Sequence, residues 1–261
     1  INIAQEITNK ILENISCVVI GKDRVIERML ICLLSGGHVL IEDVPGIGKT
    51  TIVNSLAKSL QLDFQRIQFT PDLMPSDVTG FNLYNPKTGG FEFQDGAVMT
   101  QILLADEINR TSPRTQSALL EAMQEGQVTV EGKTYPLPNP FMVLATQNPI
   151  EHVGTYPLPE AQLDRFMMRI SVGYPSLKEE MDIISLDTVN VLSNEVKPAA
   201  GVEEIIWMRE QIKKVHVEEN VKKYLLDICR ETREHEMIEL GVSPRASQML
   251  LYACSAYALL H

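Results

Sequence analysis

The 261-residue chain is long enough for one large domain, or for one domain with a small satellite, and its 44% hydrophobic residues can form an ordinary core. Its formal net charge of -11 argues against a protein whose main role is to bind nucleic acid, because contacts to a phosphate backbone need clustered Lys and Arg. That charge does not exclude a local basic pore.

The four cysteines, Cys17, Cys32, Cys229 and Cys254, show no C-x-x-C spacing and no nearby histidine cluster. This pattern predicts small, reduced core residues rather than metal ligands or disulfides. The sequence contains no signal peptide and no apolar run of about 18 residues, so we expect a soluble cytoplasmic protein without a membrane segment.

The first part of the chain shows the apolar spacing of helices over residues 1–35, interrupted by V-I-G-K-D at residues 19–23. A loop of this kind, ahead of the strand and glycine loop of residues 39–51 described next, can place Val19 and Ile20 against an adenine ring. A plain turn between two helices explains the same spacing equally well.

Residues 39–51 read V-L-I-E-D-V-P-G-I-G-K-T-T, which is an apolar strand, a glycine loop and the start of a helix predicted over residues 52–60. A phosphate-binding loop requires this order, because glycines let backbone N–H groups surround a polyphosphate while a lysine reaches the outer phosphates. A hydroxyl at the helix start binds Mg²⁺, which assigns Thr50 to the metal. The residues predicted to bind the nucleotide here are Gly46, Ile47, Gly48, Lys49, Thr50 and Thr51.

The loop departs from the pattern G-x-x-x-x-G-K-[ST] at its first position, where Asp43 replaces glycine. Aspartate tolerates turn geometry better than most residues, so we expect altered turn detail and retained binding. A surface turn that happens to contain G-K-T is the competing interpretation. The strand before it and the helix after it argue against that interpretation.

A strand is predicted over residues 63–69, and two β-hairpins follow, one over residues 81–98 and one over residues 128–140. We expect the first hairpin to be an insertion at a point where an α/β protein normally runs a helix. Such insertions project from the scaffold and often contact partners, although a decorative loop fits the same pattern.

The sequence Q-I-L-L-A-D-E-I-N-R at residues 101–110 is an apolar strand that ends in Asp106 and Glu107. A hydrolytic nucleotide site needs one acid to hold Mg²⁺, assigned to Asp106, and a second acid to orient and deprotonate the attacking water, assigned to Glu107. A solvent-facing acid pair is the usual alternative, but such pairs rarely end a run of four apolar residues.

A helix is predicted over residues 111–125, and a buried strand follows over residues 141–146. Asn148 then lies at the same end of the predicted sheet as Asp106, where an amide can touch both the γ-phosphate and the attacking water. An asparagine favoured before a proline in a turn is a credible alternative.

Arg165 ends a short helix predicted within residues 158–166, just before a last strand over residues 167–172. An isolated arginine is usually a salt-bridge partner. At this position it can instead reach a phosphate that is bound to a neighbouring subunit.

A boundary is predicted at Y-P-S, between a nucleotide domain of residues 1–175 and a helical lid of residues 176–261. Arg245 lies in the first turn of the last lid helix, where a lid that closes on a nucleotide would use a cation. A solvated arginine is the commoner case, and whether Arg245 would act on its own nucleotide or on a neighbour's stays open. The lid helices are predicted over residues 177–192, 202–215, 218–237 and 243–260.

Several motifs together resemble the MoxR-type ATPases of the AAA+ superfamily. They are V-P-G-I-G-K-T, L-L-A-D-E-I-N-R-T-S-P-R-T-Q-S-A-L-L-E-A-M, A-T-Q-N-P, L-P-E-A-Q-L-D-R-F and G-V-S-P-R-A, in the family's order and spacing. The resemblance implies an α/β fold: an αβα P-loop sandwich with a parallel sheet, inserted β-hairpins and a C-terminal helical lid. It also implies ATP and Mg²⁺ as cofactors and a homo-oligomeric ring, usually of six subunits.

The resemblance further implies roles for single residues. They are Lys49 and Thr50 in Walker A, Asp106 and Glu107 in Walker B, Asn148 as sensor 1, Arg165 as the arginine finger, Arg245 as sensor 2, and Arg110 and Arg114 facing the neighbouring subunit.

Proteins similar to this one act as chaperone-like factors that remodel or activate client complexes, often with a von Willebrand A-domain partner. We therefore expect ATP hydrolysis coupled to work on a protein client, with no membrane or nucleic-acid partner. One alternative is a nucleic-acid-stimulated motor, for which Lys87 and Lys133 are the only basic residues in the two hairpin turns. The other is a nucleotide-gated scaffold with little turnover, against which the intact Asp106 and Glu107 argue.

Overall fold

The centre of the structure is a five-stranded parallel sheet, seen in a computed structural model that describes residues 3–44, 46–148, 154–185 and 196–261. The sheet has the order β2-β5-β8-β1-β9, so the carboxyl ends of β1, β5 and β8 lie side by side. We refer to this side as the carboxyl end of the sheet and to the other as its amino end. The strands are β1 (Val39–Glu42), β2 (Phe64–Gln68), β3 (Gly80–Asn85), β4 (Gly90–Asp95), β5 (Ile102–Asp106), β6 (Gln127–Val130), β7 (Lys133–Pro136), β8 (Met142–Gln147) and β9 (Met168–Ile170).

Helices cover both faces of this sheet. Because side chains alternate along a strand, Val39 and Ile41 pack with α1, α2 and α3 on one face, while Leu40 packs with α5 on the other. The predicted αβα sandwich with a parallel sheet is thus confirmed. The helices are α1 (Ile3–Ser16), α2 (Asp23–Leu34), α3 (Lys49–Ser59), α4 (Pro75–Thr79), α5 (Pro113–Glu125), α6 (Glu160–Leu163), α7 (Leu177–Ser185), α8 (Val202–Ile212), α9 (Glu219–Glu234) and α10 (Pro244–Leu260), with a 3-10 turn at Ile108–Arg110.

Both predicted hairpins are present, β3 with β4 and β6 with β7, and they pack against each other. The ring of Phe93 stacks on that of Tyr135, with the ring centroids 3.8 Å apart. Asn82 also donates from its Nδ2 atom to Oε2 of Glu131 at 2.8 Å. The two hairpins therefore form one packed unit.

The C-terminal helices α8 and α10 pack against α1 and α2, and the buried Ile205 and Met208 of α8 share the core with the first face of the sheet. Arg209 fixes this packing, because its Nε and Nη2 atoms donate to the carbonyl oxygen of Leu33 at 3.1 and 2.6 Å. Its Nη1 atom donates to Oδ1 of Asn139 at 3.0 Å. The predicted domain division after residue 175 falls between β9 and α7 and stays a prediction.

The helix ends differ from the predictions in ways that local bonds explain. Helix α3 begins at Lys49 rather than at residue 52, because Gly48 takes a left-handed conformation and acts as the N-cap. The short α4 was not predicted, and the Asp77 carboxylate stabilises its start by accepting the N–H of Met74 at 2.8 Å. Arg165 follows α6 rather than ending it.

Two other predictions need correction or restriction. Cys32 and Cys229 are buried as predicted, whereas Cys17 and Cys254 are exposed, so only two of the four cysteines are core residues. The predicted helix over residues 177–192 is confirmed to Ser185, and the rest of it lies outside the described residues. No helix among the described residues has both the length and the apolar character that a membrane span requires.

Candidate nucleotide site

The phosphate loop joins the carboxyl end of β1 to the start of α3. Gly46 and Gly48 have φ angles of +86° and +82°, a backbone conformation that L side chains rarely adopt. Helix α3 has no acidic residue in its first turn, so its N–H groups and partial positive charge face the loop without competition. The Nζ atom of Lys49 donates to the carbonyl oxygen of Asp43 at 3.2 Å. Pro45 lies outside the described residues.

Asp43, the departure from the loop pattern, ties the start of the loop to the chain that leaves β9. Its carboxylate accepts the N–H groups of Val172 and Gly173, the latter at 3.2 Å, and the hydroxyl of Ser171 at 3.2 Å. Glycine has no side chain with which to make these contacts. The expected change in turn detail is therefore a set of hydrogen bonds between two loops.

The turn predicted to contact adenine lies beside the same chain segment. The Nζ atom of Lys22 donates to the carbonyl oxygens of Val172, Gly173 and Tyr174 at 3.0, 3.2 and 3.3 Å. Val19 is 6% exposed and belongs to the core, while Ile20 is half-buried. Contact of these two side chains with an adenine ring stays a prediction.

The two acids follow β5 at the carboxyl end of the sheet and are held in different ways. Asp106 has a side chain that is 10% exposed and accepts from Arg66 Nε at 2.6 Å and from the Thr146 hydroxyl at 3.0 Å. Glu107 has a left-handed backbone, with φ 57° and ψ 48°, which turns its side chain away from the strand direction. Its Oε2 atom accepts from Gln68 Nε2 at 2.5 Å.

Thr146, near the end of β8, binds both acidic residues at once. Its hydroxyl donates to Oδ1 of Asp106 and accepts the backbone N–H of Glu107 at 2.9 Å. Asn148 follows two residues later, at the same end of the sheet as Asp106, as predicted. The end of β8, which leads to Asn148, thus lies next to β1 and the phosphate loop, and the end of β5, with Asp106 and Glu107, lies on the other side of β8.

The oxygen atoms of Thr50 and Asp106 are of the hard type that Mg²⁺ prefers. Among the described residues no group of three or more His, Cys, Asp and Glu side chains is arranged to hold a metal. Mg²⁺ of a nucleotide complex needs few protein ligands, because the phosphates and water supply most of them. The residues present therefore fit the metal, provided that it arrives with a triphosphate.

Arg165 and Arg245 lie together, but at the amino end of the sheet. Both line a cavity of about 310 Å³ whose wall also includes Gly37 and His38, the residues that directly precede β1. None of the described residues lining this cavity belongs to the phosphate loop. Helix α10 is held here because the hydroxyl of Ser243 donates to Oδ1 of Asp164 at 2.6 Å.

His38 stabilises the same end of the sheet. Its Nδ1 atom accepts the N–H of Val143 at 3.0 Å, so its Nε2 atom carries the proton that bonds the carbonyl oxygen of Met123 at 3.2 Å. Burial lowers the pKa of His38 to about 4, helped by the charge of Arg209 and opposed by the Met123 carbonyl. His38 is therefore neutral at neutral pH.

The two further arginines lie at the carboxyl end, near the acids. Arg110 ends the 3-10 turn, and its Nε atom is 3.3 Å from Oε2 of Glu107. Arg114 is the second residue of α5 and is exposed. Their contact with a neighbouring subunit stays a prediction.

Sequence reasoning missed three side chains that contact the predicted site. Thr146 could have been found from its place in A-T-Q-N, one residue before the end of a buried strand. Arg66 and Gln68 gave no such signal, because they lie on an exposed edge strand about 40 positions away from the acids. The contacts of Asp43 with residues 171–173 depend on chain folding and leave no local pattern.

Comparisons with known proteins agree with this geometry. Residues 38–168 match the ATPase family associated with various cellular activities (AAA), and residues 230–261 match the AAA lid domain. The uncharacterized protein YeaC from Bacillus subtilis is 53% identical over 97% of this chain and 79% of its own length. Chaperone MoxR1 from Mycobacterium tuberculosis is 43% identical over 93% of this chain and 66% of its own length. A crystal structure of a Cytophaga hutchinsonii protein, provisionally described as an ATPase, is similar with a TM-score of 0.89 and 43% identity, over 98% of this chain and 82% of that one.

Proposed function

Because the chain belongs to the MoxR-type AAA+ ATPases and hydrolyses ATP, we propose that it uses this hydrolysis to remodel or activate a client protein complex. The observation that carries the proposal is the meeting of the phosphate loop, both acids and Asn148 at one end of the sheet. The name of one relative, Chaperone MoxR1, supports a protein client.

In the proposed mechanism Lys49 leaves the carbonyl oxygen of Asp43 and neutralises charge that develops on the transferred phosphoryl group. Mg²⁺, held by Thr50 and Asp106, would supply further positive charge at the phosphates. Glu107 accepts a proton from the attacking water, and the Asn148 amide orients that water. Thr146 fixes the positions of the two acids relative to each other, because its hydroxyl bonds the carboxylate of Asp106 and the backbone N–H of Glu107.

Arg165 and Arg245 complete the site of a neighbouring subunit in this proposal. Their shared cavity at the amino end of the sheet supports this arrangement, because a phosphate held at the carboxyl end of the same chain lies on the other side of β1. A ring brings the amino end of one copy against the carboxyl end of the next. We therefore include a homo-oligomeric ring, of six subunits, in the proposal.

The hairpin β3–β4 supports a protein client over a nucleic acid. It exposes Phe81, Leu83, Tyr84 and Phe91, and Phe91 is 71% exposed. The stacking of this hairpin on the second one supports the strands that carry these apolar side chains. Lys87 and Lys133 are the basic residues of the two turns, and the ammonium group of Lys133 is 5.0 Å from the ring centroid of Tyr135. Apolar exposed side chains suit a partly unfolded polypeptide better than a phosphate backbone.

The test uses tagged Glu107→Gln as a trap that binds ATP without turning it over, with Lys49→Ala as a matched control that binds no nucleotide. With ATP present, we expect the trap to retain a client, together with a von Willebrand A-domain protein, that the control releases. Equal retention by both variants would contradict a nucleotide-dependent client. Strong stimulation of the wild-type ATPase by single- or double-stranded DNA would favour a nucleic-acid motor instead.

A further inference from the structure

The strand β2 places two polar side chains against the acids of the site. Arg66 and Gln68 lie two residues apart and so point to the same face of the sheet. In the pairing with β5, Gln68 lies opposite Asp106, and Arg66 lies opposite Leu104, which belongs to the core on the α3 side. Arg66 therefore reaches Asp106 from the face that the phosphate-loop helix covers.

The contact between Arg66 and Asp106 is short and charged. The Nε atom of Arg66 donates to Oδ2 of Asp106 at 2.6 Å, while Oδ1 accepts the Thr146 hydroxyl. Since the Asp106 side chain is only 10% exposed, its charge needs a compensating partner. Arg66 supplies that charge.

The same carboxylate is proposed to hold Mg²⁺ when ATP is bound, so Arg66 and Mg²⁺ would compete for Asp106. A guanidinium and a divalent cation around a single carboxylate repel each other. The Arg66 side chain is 50% exposed and can turn into solvent at small cost, whereas Asp106 is fixed by Thr146. The arginine is therefore the partner that can leave.

We propose that Arg66 is a positioning residue for Asp106 that serves as its counter-ion and competes with the divalent cation, so that the site fills with metal only together with nucleotide. Gln68 supports the arginine, because its Oε1 atom accepts from Arg66 Nη2 at 3.3 Å. The inference rests on the proposed binding of Mg²⁺ at Asp106.

The test titrates Mn²⁺ into wild type and Arg66→Gln, with a non-hydrolysable ATP analogue and without it, and reads bound metal by electron paramagnetic resonance. We expect Arg66→Gln to lower the half-saturating Mn²⁺ concentration about fivefold, which is the scale of a partly exposed ion pair. Arg66→Lys keeps the positive charge and should stay within about twofold of wild type. Thermal melting confirms that each variant is folded.

Arg230→Gln is the matched control, because it removes the same charge from α9, where Arg230 lies 3.9 Å from Glu234. It should leave the metal titration unchanged. An unchanged or raised half-saturation in Arg66→Gln, or an equal shift in Arg230→Gln, overturns the inference. Loss of the shift when Asp106→Asn is added supports it. Failure of the proposed function looks different: wild type itself would then take up no Mn²⁺ with the analogue.

Discussion

At the carboxyl end of the central sheet, the groups proposed to act on ATP follow directly after strands and lie within one chain. At the amino end, Arg165 and Arg245 come from distant parts of the chain and share a cavity with Gly37 and His38. The first end is supplied with a phosphate loop and two acids, and the second with cations. The two ends therefore have complementary chemistry, as the proposed ring requires: the carboxyl end of one copy would join the amino end of the next to complete a site.

The largest change in ATPase rate is expected from a substitution at the amino end of the sheet. In Arg165→Ala we expect the ATPase rate to fall by roughly 10³, because an arginine that stabilises phosphoryl transfer contributes at least that much. Steady-state phosphate release measures the fall. ATP affinity of the separate subunit should stay the same, since Arg165 lies away from the phosphate loop.

Mixing variants decides whether Arg165 acts across a subunit boundary. Arg165→Ala keeps Glu107, and Glu107→Gln keeps Arg165, so a mixed ring contains interfaces with both residues intact. We expect the mixture to recover part of the activity that each variant lacks alone. The matched control mixes Arg165→Ala with the double variant Arg165→Ala/Glu107→Gln, which should recover none. Absence of recovery in the first mixture would place the action of Arg165 within its own subunit.

The next effect concerns the carboxyl end. Glu107→Gln should lower the hydrolysis rate by about 10² to 10³ and leave ATP affinity nearly unchanged, because a general base contributes to the chemical step rather than to binding. A single-turnover assay and a nucleotide-binding titration separate the two quantities. Glu125→Gln, at the exposed end of α5, removes the same charge and should leave the rate unaffected. Equal rates for wild type and Glu107→Gln would show that another group activates the water.

The same comparison explains what could be predicted from the sequence. The functions of residues 39–51 and 101–107 can be predicted from local sequence alone. In the first segment a strand, a glycine loop and a helix start follow each other, and in the second an apolar strand ends in two acids. Glycines in a loop and acids after an apolar run are visible without a structure. The sheet, the hairpins and the carboxyl end of the site were therefore within reach of sequence reasoning.

The remaining features depend on contacts between distant segments. The pairing of Arg66 with Asp106 spans 40 positions, and the shared cavity of Arg165 and Arg245 spans 80. The sequence placed Arg245 in the first turn of the last helix but left open whether it acts on its own nucleotide or on a neighbour's, because the packing of α10 against α1 and α2 leaves no local pattern. Spacing along a chain does not tell which end of a sheet a later helix will join.

A smaller effect on the rate is expected from Thr146, at the carboxyl end of the sheet. Thr146→Val keeps the shape of the side chain but leaves Oδ1 of Asp106 and the N–H of Glu107 without their shared hydroxyl. We expect kcat to fall about tenfold with KM for ATP unchanged, and the free energy of unfolding to fall by about 1–3 kcal/mol. Steady-state kinetics and urea unfolding measure both. Thr146→Ser, which keeps the hydroxyl, should restore most of the rate, and a Ser variant as slow as the Val variant would contradict the role of that hydroxyl.

The last prediction concerns the stability of the amino end, which depends on pH, and not the rate of hydrolysis. The folded protein holds the pKa of His38 at about 4, below its ordinary value of 6.5, so between these values the unfolded chain binds a proton that the folded chain does not. The contribution of His38 to the free energy of unfolding should therefore be complete above pH 6.5. It should decrease by about 3 kcal/mol as the pH falls towards 4. Urea unfolding at several pH values measures the slope. His38→Gln should flatten it, whereas His216→Gln, whose side chain is 79% exposed, should keep it. A slope that persists in His38→Gln would assign the acid sensitivity to carboxylates elsewhere. The hydrogen bond from Val143 to His38 would then not contribute to the pH dependence.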